Sequence, residues 1–362
     1  MPGPDQSPVV AAGVVNYRCA RKTIRCVGSL LQQTLPPAQI VVIDNASGDG
    51  SAEALRQEFA AAPGIRLISN NRNLGFAAAQ NQAIRATQGE YYLTVNPDAI
   101  LKVDYIEHLV QALAAHPRTG YATGLIYYCS GDGRPTPYVF SAGHWFLRQR
   151  TALNRHIGLS WPEERIQSGE VGGASGCAPL YRRAMLESID LGGGEYFDEM
   201  FFLYMEDIDL DWRAHLAGWT CWFEKSAVAW HESEAAGGGV NPWIYGQLVS
   251  NRWLMVLKND TLMNFALHLP FFVKADLCYY FPEMRRRPGA FSALFDGLFR
   301  RARETWRKRR TVRAESKLTP REMRVWMNES LRDLRAANAF RLAHPELVRS
   351  KESASRDALT PC

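Results

Sequence analysis

The sequence predicts an α/β protein with a doubly wound, mostly parallel sheet and a helical extension at the C-terminus. Short apolar runs rich in β-branched residues alternate four times with helical patterns over roughly the first 120 residues. The connections are short, and residues 40–43 are apolar throughout, as in a parallel strand buried on both faces. With 362 residues, 46% of them hydrophobic, the chain can bury a large core.

The periodicity of apolar residues places the elements of the first third. Strands are predicted at residues 9–15, 40–43, 65–69 and 91–95. Helices are predicted up to Leu31 and at residues 51–59, 76–87 and 103–115, with Ser51 as an N-cap. In such sheets ligands bind at the carboxyl ends of strands, where Asn16, Asp44 and Asp98 fall.

The pattern is less regular after residue 121. Residues 129–175, rich in Gly, Pro and Ser, are predicted to form irregular strands and loops that line an acceptor cleft. Helices are expected at 181–188, from Glu206 to about Gly218, and at 242–260, 265–281 and 285–313, with short strands at 221–223 and 227–230. We therefore divide the chain into a catalytic domain (1–240, with halves at about 9–120 and 121–240), a helical basic extension (241–345) and a mobile tail (346–362).

Composition narrows the class of protein. No stretch approaches 18 uninterrupted apolar residues and the first eight residues lack signal-peptide features, so the sequence predicts a cytoplasmic protein. The seven cysteines are odd in number and contain no CxxC pair, which favours reduced thiols over a disulfide framework or a zinc site.

The net charge of +5 hides one strongly basic segment. Residues 285–313 carry 11 lysines and arginines against 2 acids, and they contain no nucleic-acid recognition motif. An apolar stripe follows helical spacing at Phe291, Leu294, Phe295, Leu298 and Phe299. We predict a helix that lies on an anionic membrane, at the inner face of the cell membrane. The alternative is a helix packed on the catalytic domain with its arginines in solvent.

The residues that carry chemistry are acids and a late histidine. Four carboxylates fall within six positions, from Glu206 to Asp211, and His231 follows an apolar run. Another acid, Asp98, stands in an Asn-Pro-Asp turn after a strand. Each buried acid needs a proton, a cation or a hydrogen bond. Together they suggest a divalent metal beside a general base, which suits transfer from a diphosphate leaving group.

Several motifs resemble family 2 inverting glycosyltransferases of the GT-A fold, in particular the rhamnosyltransferase-like branch that builds bacterial surface polysaccharides. The resemblance covers about residues 9–260. The matching segments are Val14-Val15-Asn16-Tyr17, Val42-Ile43-Asp44-Asn45-Ala46-Ser47, Asn70-Asn71-Arg72-Asn73-Leu74-Gly75-Phe76, Asn96-Pro97-Asp98, Gly173-Ala174-Ser175-Gly176, Phe197-Asp198-Glu199, Phe201-Phe202-Leu203-Tyr204, Glu206-Asp207-Ile208-Asp209 and Trp230-His231.

The resemblance implies a nucleotide site. Its residues would be Asn16, Asp44, Arg72, Asn73, Gly75, Asn96 and Asp98. Asp44 would accept the N3–H of uracil or thymine, or else it only caps the next helix. Arg72 would contact a phosphate or stay solvated, and the turn at Gly75 would lie against the nucleoside or be an ordinary turn. Asn96 replaces the first acid of the family's DXD element and can still bond a ribose hydroxyl.

The resemblance also implies a metal and a base. Asp98 and His231 would hold Mg²⁺ or Mn²⁺ with the donor phosphates, unless Asp98 is only a turn residue and His231 only structural. Asp207 would be the general base, with Glu206 beside it to orient the acceptor or share the role. Asp209 and Arg213, four residues apart on a helix, are interpreted as a structural pair.

These implications lead to one function and two alternatives. The expected enzyme transfers a sugar, most specifically rhamnose from dTDP-rhamnose, to a hydroxyl of a glycan or lipid-linked glycan. A transferase of UDP-linked hexose or galactofuranose would need the same residues. A non-catalytic protein that binds nucleotide-sugars is the alternative from another class, since one acid of the DXD element is missing.

Overall fold

The structure is a computed structural model that describes residues 8–130, 133–160, 166–232, 241–327, 339–340 and 343–344. The tail assigned to residues 346–362 lies outside the described residues. The fold is that of the sequence prediction: a large central sheet flanked by helices, followed by C-terminal helices. None of the helices in the described ranges is both long and apolar enough to cross a membrane.

The first half of the sheet consists of four parallel strands in the order β4-β1-β2-β3. The strands are β1 (Val10–Asn16), β2 (Gln39–Asp44), β3 (Ile65–Ser69) and β4 (Tyr91–Val95). The helices are α1 (Ala20–Leu31), α2 (Ser51–Phe59), α3 (Phe76–Arg85) and α4 (Tyr105–Ala115). The prediction that Ser51 is an N-cap was wrong: Gly50 takes that position with a φ of 88°, and Ser51 is the first helical residue.

The second half extends the same sheet with antiparallel and parallel strands. They are β5 (Ala99–Leu101), β6 (Thr119–Cys129), β7 (Pro135–Ser141), β10 (Gly169–Val171), β11 (Leu180–Arg182) and β12 (Thr220–His231), while β8 (His144–Phe146) and β9 (Ala152–Asn154) pair separately. The helices are α5 (Arg183–Ser188) and α6 (Glu206–Leu216). The helix predicted from residue 181 starts later because Tyr181 pairs with β4 and β6. The two strands predicted at 221–223 and 227–230 form one strand, which is interrupted by a bulge.

Further helices follow the sheet and pack against α6. They are α7 (Pro242–Asn259), α8 (Leu262–Ala275), a π-helical turn (Asp276–Tyr280), α9 (Phe281–Arg285), α10 (Ala290–Ala314) and α11 (Pro320–Trp326). One apolar cluster joins α6 to them, with Trp212 packed among Met255, Phe272 and Val312. The C-terminal helices therefore support the helix that carries the acidic cluster.

Candidate active site

A cleft of about 600 Å³ opens at the carboxyl ends of the parallel strands. Its volume suits a small ligand such as a nucleotide-sugar. Of the residues selected from the sequence, seven line it: Asn73, Gly75, Asn96, Asp98, Glu206, Asp207 and His231. Asn16 and Asp44 are buried below its surface, and Arg72 is exposed outside it.

Strand pairing brings Asp98 and His231 together although they are far apart in the sequence. Strand β12 runs antiparallel to β5, so His231 pairs with Ala99 next to Asp98. His231 Nε2 lies 3.0 Å from Asp98 Oδ1, and Asn96 Nδ2 lies 3.5 Å from the same nitrogen. The nearby imidazole lowers the pKa of Asp98 against the opposing effect of burial. This carboxyl is therefore ionised at neutral pH.

The Asp98–His231 pair fits a divalent cation whose remaining ligands would be oxygen atoms of the substrate. Two ligands at right angles about a cation, each about 2.1 Å away, would be about 3 Å apart, as these two atoms are. No group of three or more His, Cys, Asp or Glu side chains suited to a metal occurs in the described ranges. Two protein ligands are typical of Mg²⁺, which takes its remaining oxygens from water and phosphates.

A cation from α1 lies on the same wall of the cleft. Lys22 lines the cleft, and its Nζ lies 2.9 Å from Glu232 Oε2, the residue after His231. Its charge also lowers the pKa of Asp98. The sequence analysis did not single out Lys22, although its place just after β1 puts it at the ligand-binding edge. Such a charge favours an anionic ligand in the cleft.

The helix α6 presents Asp207 to the cleft and fixes the opposite wall. Gly176 N donates to Asp207 Oδ2 at 3.2 Å, and one turn later Ala174 N donates to Asp211 Oδ2 at 3.1 Å. A Cβ on Gly173 would stand 2.2 Å from Asp211 Oδ2, so only glycine fits there. The Gly-Ala-Ser-Gly motif (173–176) thus connects the wall of the cleft to α6 by backbone hydrogen bonds.

Glu206 differs from Asp207 in its environment. It is buried, and its Oε2 is a buried atom without a hydrogen-bond partner within the described part of the chain. Burial, followed by the charge of Asp207, raises the pKa of Glu206 to about 8. Glu206 is therefore protonated at neutral pH and can donate a hydrogen bond, whereas a general base must be ionised.

Replacing Glu206 by glutamine is expected to raise the melting temperature at pH 8 and to change it little at pH 4. Between its usual pKa of 4.5 and about 8, the folded protein keeps the Glu206 proton that the unfolded chain releases. The wild-type protein therefore loses stability as the pH rises through this window, and glutamine, which does not titrate, avoids that loss. Thermal unfolding of both proteins at pH 8 and pH 4 measures the difference in melting temperature. An equal difference at both pH values would assign the effect to packing and not to the titration of Glu206.

Asp209 and Arg213 form the structural ion pair that the sequence predicted. Arg213 Nε donates to Asp209 Oδ2 at 2.9 Å, and Lys258 Nζ from α7 donates to the same oxygen at 2.9 Å. Asn259 Nδ2 donates to Asp209 Oδ1 at 2.8 Å. Asp209 is fully buried, so these cations make its charge tolerable.

Residues 201–205 lead into α6 in a strained conformation. Phe202, Tyr204 and Met205 have positive φ angles of 60°, 66° and 75°, which non-glycine residues rarely adopt. The buried Asn251 of α7 donates from Nδ2 to the carbonyls of Phe201, Leu203 and Tyr204 at 2.8, 3.1 and 2.9 Å. Asn251 thereby holds the segment that sets the start of α6.

The same segment also touches the turn at Gly75. Phe76 N donates to Phe202 O at 2.6 Å, and a Cβ on Gly75 would lie 2.5 Å from that oxygen. Asn73 Oδ1 accepts from Gly75 N and from Asn45 Nδ2, both at 2.9 Å. Close backbone approach therefore explains Gly75 without a ligand, and its contact with a nucleoside remains a prediction.

Asp44 makes the contacts of a turn residue. It is 3% exposed. Its Oδ1 accepts from Asn16 Nδ2 at 2.7 Å and from Ser47 Oγ at 2.5 Å, and its Oδ2 accepts from Ser47 N at 3.3 Å. Strand register explains the first contact, because Asn16 and Asp44 are partners across β1 and β2. The role of Asp44 in binding a base also remains a prediction.

Comparison with known proteins yields a consistent set of relatives. A model of the family described as "Glycosyl transferase family 2" matches residues 12–190. The chain is 31% identical over 257 residues to an N-acetylglucosaminyl-diphospho-decaprenol L-rhamnosyltransferase of Mycobacterium tuberculosis, covering 65% of this chain and 78% of the relative. It is 26% identical over 193 residues to glycosyltransferase GlyG of Streptococcus pneumoniae, covering 53% and 63%.

Solved structures show the same fold at low sequence identity. GalNAc-T7 with UDP, GalNAc and Mn²⁺ superposes with a TM-score of 0.55 at 16% identity, covering 78% of this chain and 52% of that one. TarS of S. aureus superposes with a TM-score of 0.54 at 15% identity, covering 93% and 54%. These are glycosyltransferases of the GT-A fold, so the predicted fold is confirmed.

Proposed function

This chain belongs to glycosyl transferase family 2 and is a glycosyltransferase, and we propose that it transfers a sugar with inversion in a metal-dependent reaction. One observation carries the proposal: the Asp98–His231 pair and the acidic pair Glu206–Asp207 line one cleft. The proposed donor is dTDP-rhamnose and the acceptor a lipid-linked glycan of bacterial surface polysaccharide synthesis. The mycobacterial relative, an N-acetylglucosaminyl-diphospho-decaprenol L-rhamnosyltransferase, supports rhamnose as the sugar and a lipid-linked acceptor.

The residues of the cleft divide the chemical work. Asp207 takes the proton of the acceptor hydroxyl while that oxygen attacks the anomeric carbon, and the bond from this carbon to the diphosphate breaks on the opposite face. Glu206, protonated, donates a hydrogen bond that orients the acceptor. Asp98 and His231 would hold Mg²⁺ or Mn²⁺, which supplies positive charge to the leaving diphosphate. Lys22 adds a second positive charge on that side.

A panel of nucleotide-sugars tests this function and its alternatives. Without acceptor, the enzyme should hydrolyse its donor slowly. With Mn²⁺ present, this rate should be higher for dTDP-rhamnose than for the other nucleotide-sugars. If a UDP-hexose or UDP-galactofuranose were hydrolysed fastest, the donor assignment would change, but the protein would still be a glycosyltransferase. Binding of a nucleotide-sugar without hydrolysis or transfer under any condition would instead favour the non-catalytic alternative.

Asp44→Ala is expected to weaken the binding of free dTDP or UDP equally with and without metal, by roughly 10-fold or more. The proposed contact is with the base, away from the phosphates. Isothermal titration calorimetry measures the affinity, with Asp49→Ala as the matched control, since Asp49 is an exposed acid of the same loop. If Asp44→Ala bound nucleotide as tightly as wild type, Asp44 would have only the structural role in the turn that its contacts show.

The basic helix α10 differs from its predicted arrangement. The predicted apolar stripe is divided, because Leu294 is buried and Phe291 and Leu298 pack against it, while Phe295 and Phe299 stay exposed. Several basic side chains bind inward: Arg301 Nη1 donates to Asn251 Oδ1 at 2.8 Å, Lys308 Nζ to Asp198 Oδ1 at 2.7 Å and Arg309 Nη1 to Asp260 O at 2.8 Å. The helix therefore packs on the domain, as the alternative held, and still exposes aromatics and arginines outward.

We expect the outward arginines of α10 to increase binding to anionic membranes. Replacing the exposed Arg300, Arg303, Arg307 and Arg310 by glutamine should reduce binding to anionic vesicles, with a smaller effect at high salt. Vesicle flotation measures this. The inward Arg301 and Arg309 are left unchanged, since their loss would disturb the fold. If wild type and variant bound anionic vesicles equally at low salt, α10 would not contribute to membrane binding.

A further inference from the structure

Helix α8 exposes a continuous apolar face that the proposed function does not use. The large side chains on this face and its continuation through the π-helical turn are Leu262, Met263, Leu267, Leu269, Val273, Leu277 and Tyr279, with exposed fractions of 82%, 51%, 56%, 40%, 41%, 61% and 61%. Most of them follow four-residue spacing, Met263 with Leu267 and Leu269 with Val273 and Leu277, so together they cover the exposed half of the helix. Scattered exposed apolar residues are ordinary, but a contiguous set on one helix marks an interaction surface.

The opposite face of α8 is fixed to the protein, so the direction of the apolar face is well defined. Phe272 packs edge-to-face on Trp253 with ring centroids 4.6 Å apart. Asn264 Nδ2 donates to Pro320 O at 3.0 Å, and Arg252 Nη1 lies 2.6 Å from the buried Asp276. Each of these anchors lies on the buried side of the helix. The exposed side chains therefore project away from the domain.

Charge on this surface is sparse and positive. Lys274 is the one exposed charged residue between Leu262 and Tyr280, a span that the structure describes in full. Beyond the helix end, Arg285 and Arg286 are exposed. An apolar face with cationic residues at its border complements a bilayer with anionic lipid headgroups.

The size of the face disfavours a second copy of the chain as its occupant. The 18 residues from Leu262 to Tyr279 span about 27 Å, and a helix is about 10 Å wide, so the face covers on the order of 270 Å² in projection. A stable dimer usually buries about 800 Å² per partner. Insertion into a bilayer needs no such area, because each apolar side chain contributes on its own.

We propose that the exposed face of α8 inserts into the acyl boundary of the membrane as the apolar anchor of this enzyme. The proposal rests on the proposed function, because a lipid-linked acceptor lies at a membrane surface. In this arrangement α8 supplies salt-resistant attachment, whereas the arginines of α10 supply the salt-sensitive part. The anchor would thereby hold the enzyme at the surface that carries its acceptor.

Vesicle flotation of the full chain tests the anchor. Wild type should bind vesicles of phosphatidylcholine with phosphatidylglycerol and retain much of that binding in 0.5 M NaCl, an assay condition that screens charge at about 4 Å. The variant Leu267→Gln/Val273→Gln/Leu277→Gln should bind at least roughly 10-fold more weakly at both salt levels. The control variant Leu31→Gln/Val103→Gln, with comparably exposed apolar residues on the catalytic domain, should bind like wild type.

Each contrary outcome identifies a different error. Wild-type binding by the triple variant, or no binding by wild type, would overturn the anchor. A wild-type dimer in light scattering that the triple variant converts to monomer would assign the face to a second copy. Donor hydrolysis, measured on the same proteins without vesicles, should be equal in wild type and triple variant. If neither wild type nor triple variant hydrolysed the donor, the proposed function would be contradicted. The vesicle binding would still test the membrane anchor by itself.

Discussion

Turnover is expected to fall by roughly 10²- to 10⁴-fold when Asp207 is replaced by asparagine. Asparagine keeps the shape of the side chain and an oxygen that can accept from Gly176 N, so the cleft wall should stay in place. It cannot take the proton of the acceptor hydroxyl. The affinity for donor and metal should therefore be unchanged while kcat collapses. Steady-state kinetics at saturating donor, together with calorimetric nucleotide binding, separate the two effects.

Glu206→Gln is the matched control for this experiment. Because Glu206 is held protonated by burial and by the charge of Asp207, its replacement by a neutral amide preserves a hydrogen-bond donor. Turnover should fall far less than in Asp207→Asn. If Asp207→Asn kept near wild-type turnover and Glu206→Gln lost it, the two roles would have to be exchanged.

Loss of the metal site is expected to abolish transfer. Excess chelator should stop the reaction, and added Mn²⁺ or Mg²⁺ should restore it. Asp98→Ala should lose transfer and the metal-dependent part of donor affinity, because it would remove the ionised oxygen of the proposed metal site beside His231. Initial rates and donor binding with and without metal measure both effects.

A nearby acid provides the control for the metal site. Asp104 lies six residues further along, pairs with Lys102 and does not line the cleft. Asp104→Ala should retain transfer and its dependence on metal. Full activity of wild type in excess chelator would contradict a metal role for Asp98.

Local periodicity was sufficient to predict much of the fold. The strands predicted at 65–69 and 91–95 coincide with β3 and β4, and the helix predicted at 51–59 coincides with α2. Short runs with strong apolar periodicity and turn residues at both ends leave little freedom in such elements. The convergence of Asp98 and His231 was predicted from the order of the family's motifs, and the pairing of β5 with β12 explains it.

Long-range contacts account for what the sequence did not reveal. Nothing in the local sequence of α7 indicates that Asn251 holds three carbonyls of residues 201–205. The stripe on α10 follows helical spacing, but α7 and α9 cover only part of it, so the pattern alone could not separate packed from exposed residues. Asp44 falls at a strand end as predicted, yet its register with Asn16 directs it into its own loop.

The anomeric configuration of the product tests the central claim most directly. Purified protein is incubated with dTDP-rhamnose, Mn²⁺ and a lipid-linked glycan acceptor, and the new glycosidic bond is examined by NMR. A single base, Asp207, acting opposite the leaving diphosphate predicts a metal-dependent product whose anomeric configuration is inverted relative to the donor. A product with retained configuration, or one formed equally well in excess chelator, would contradict the account.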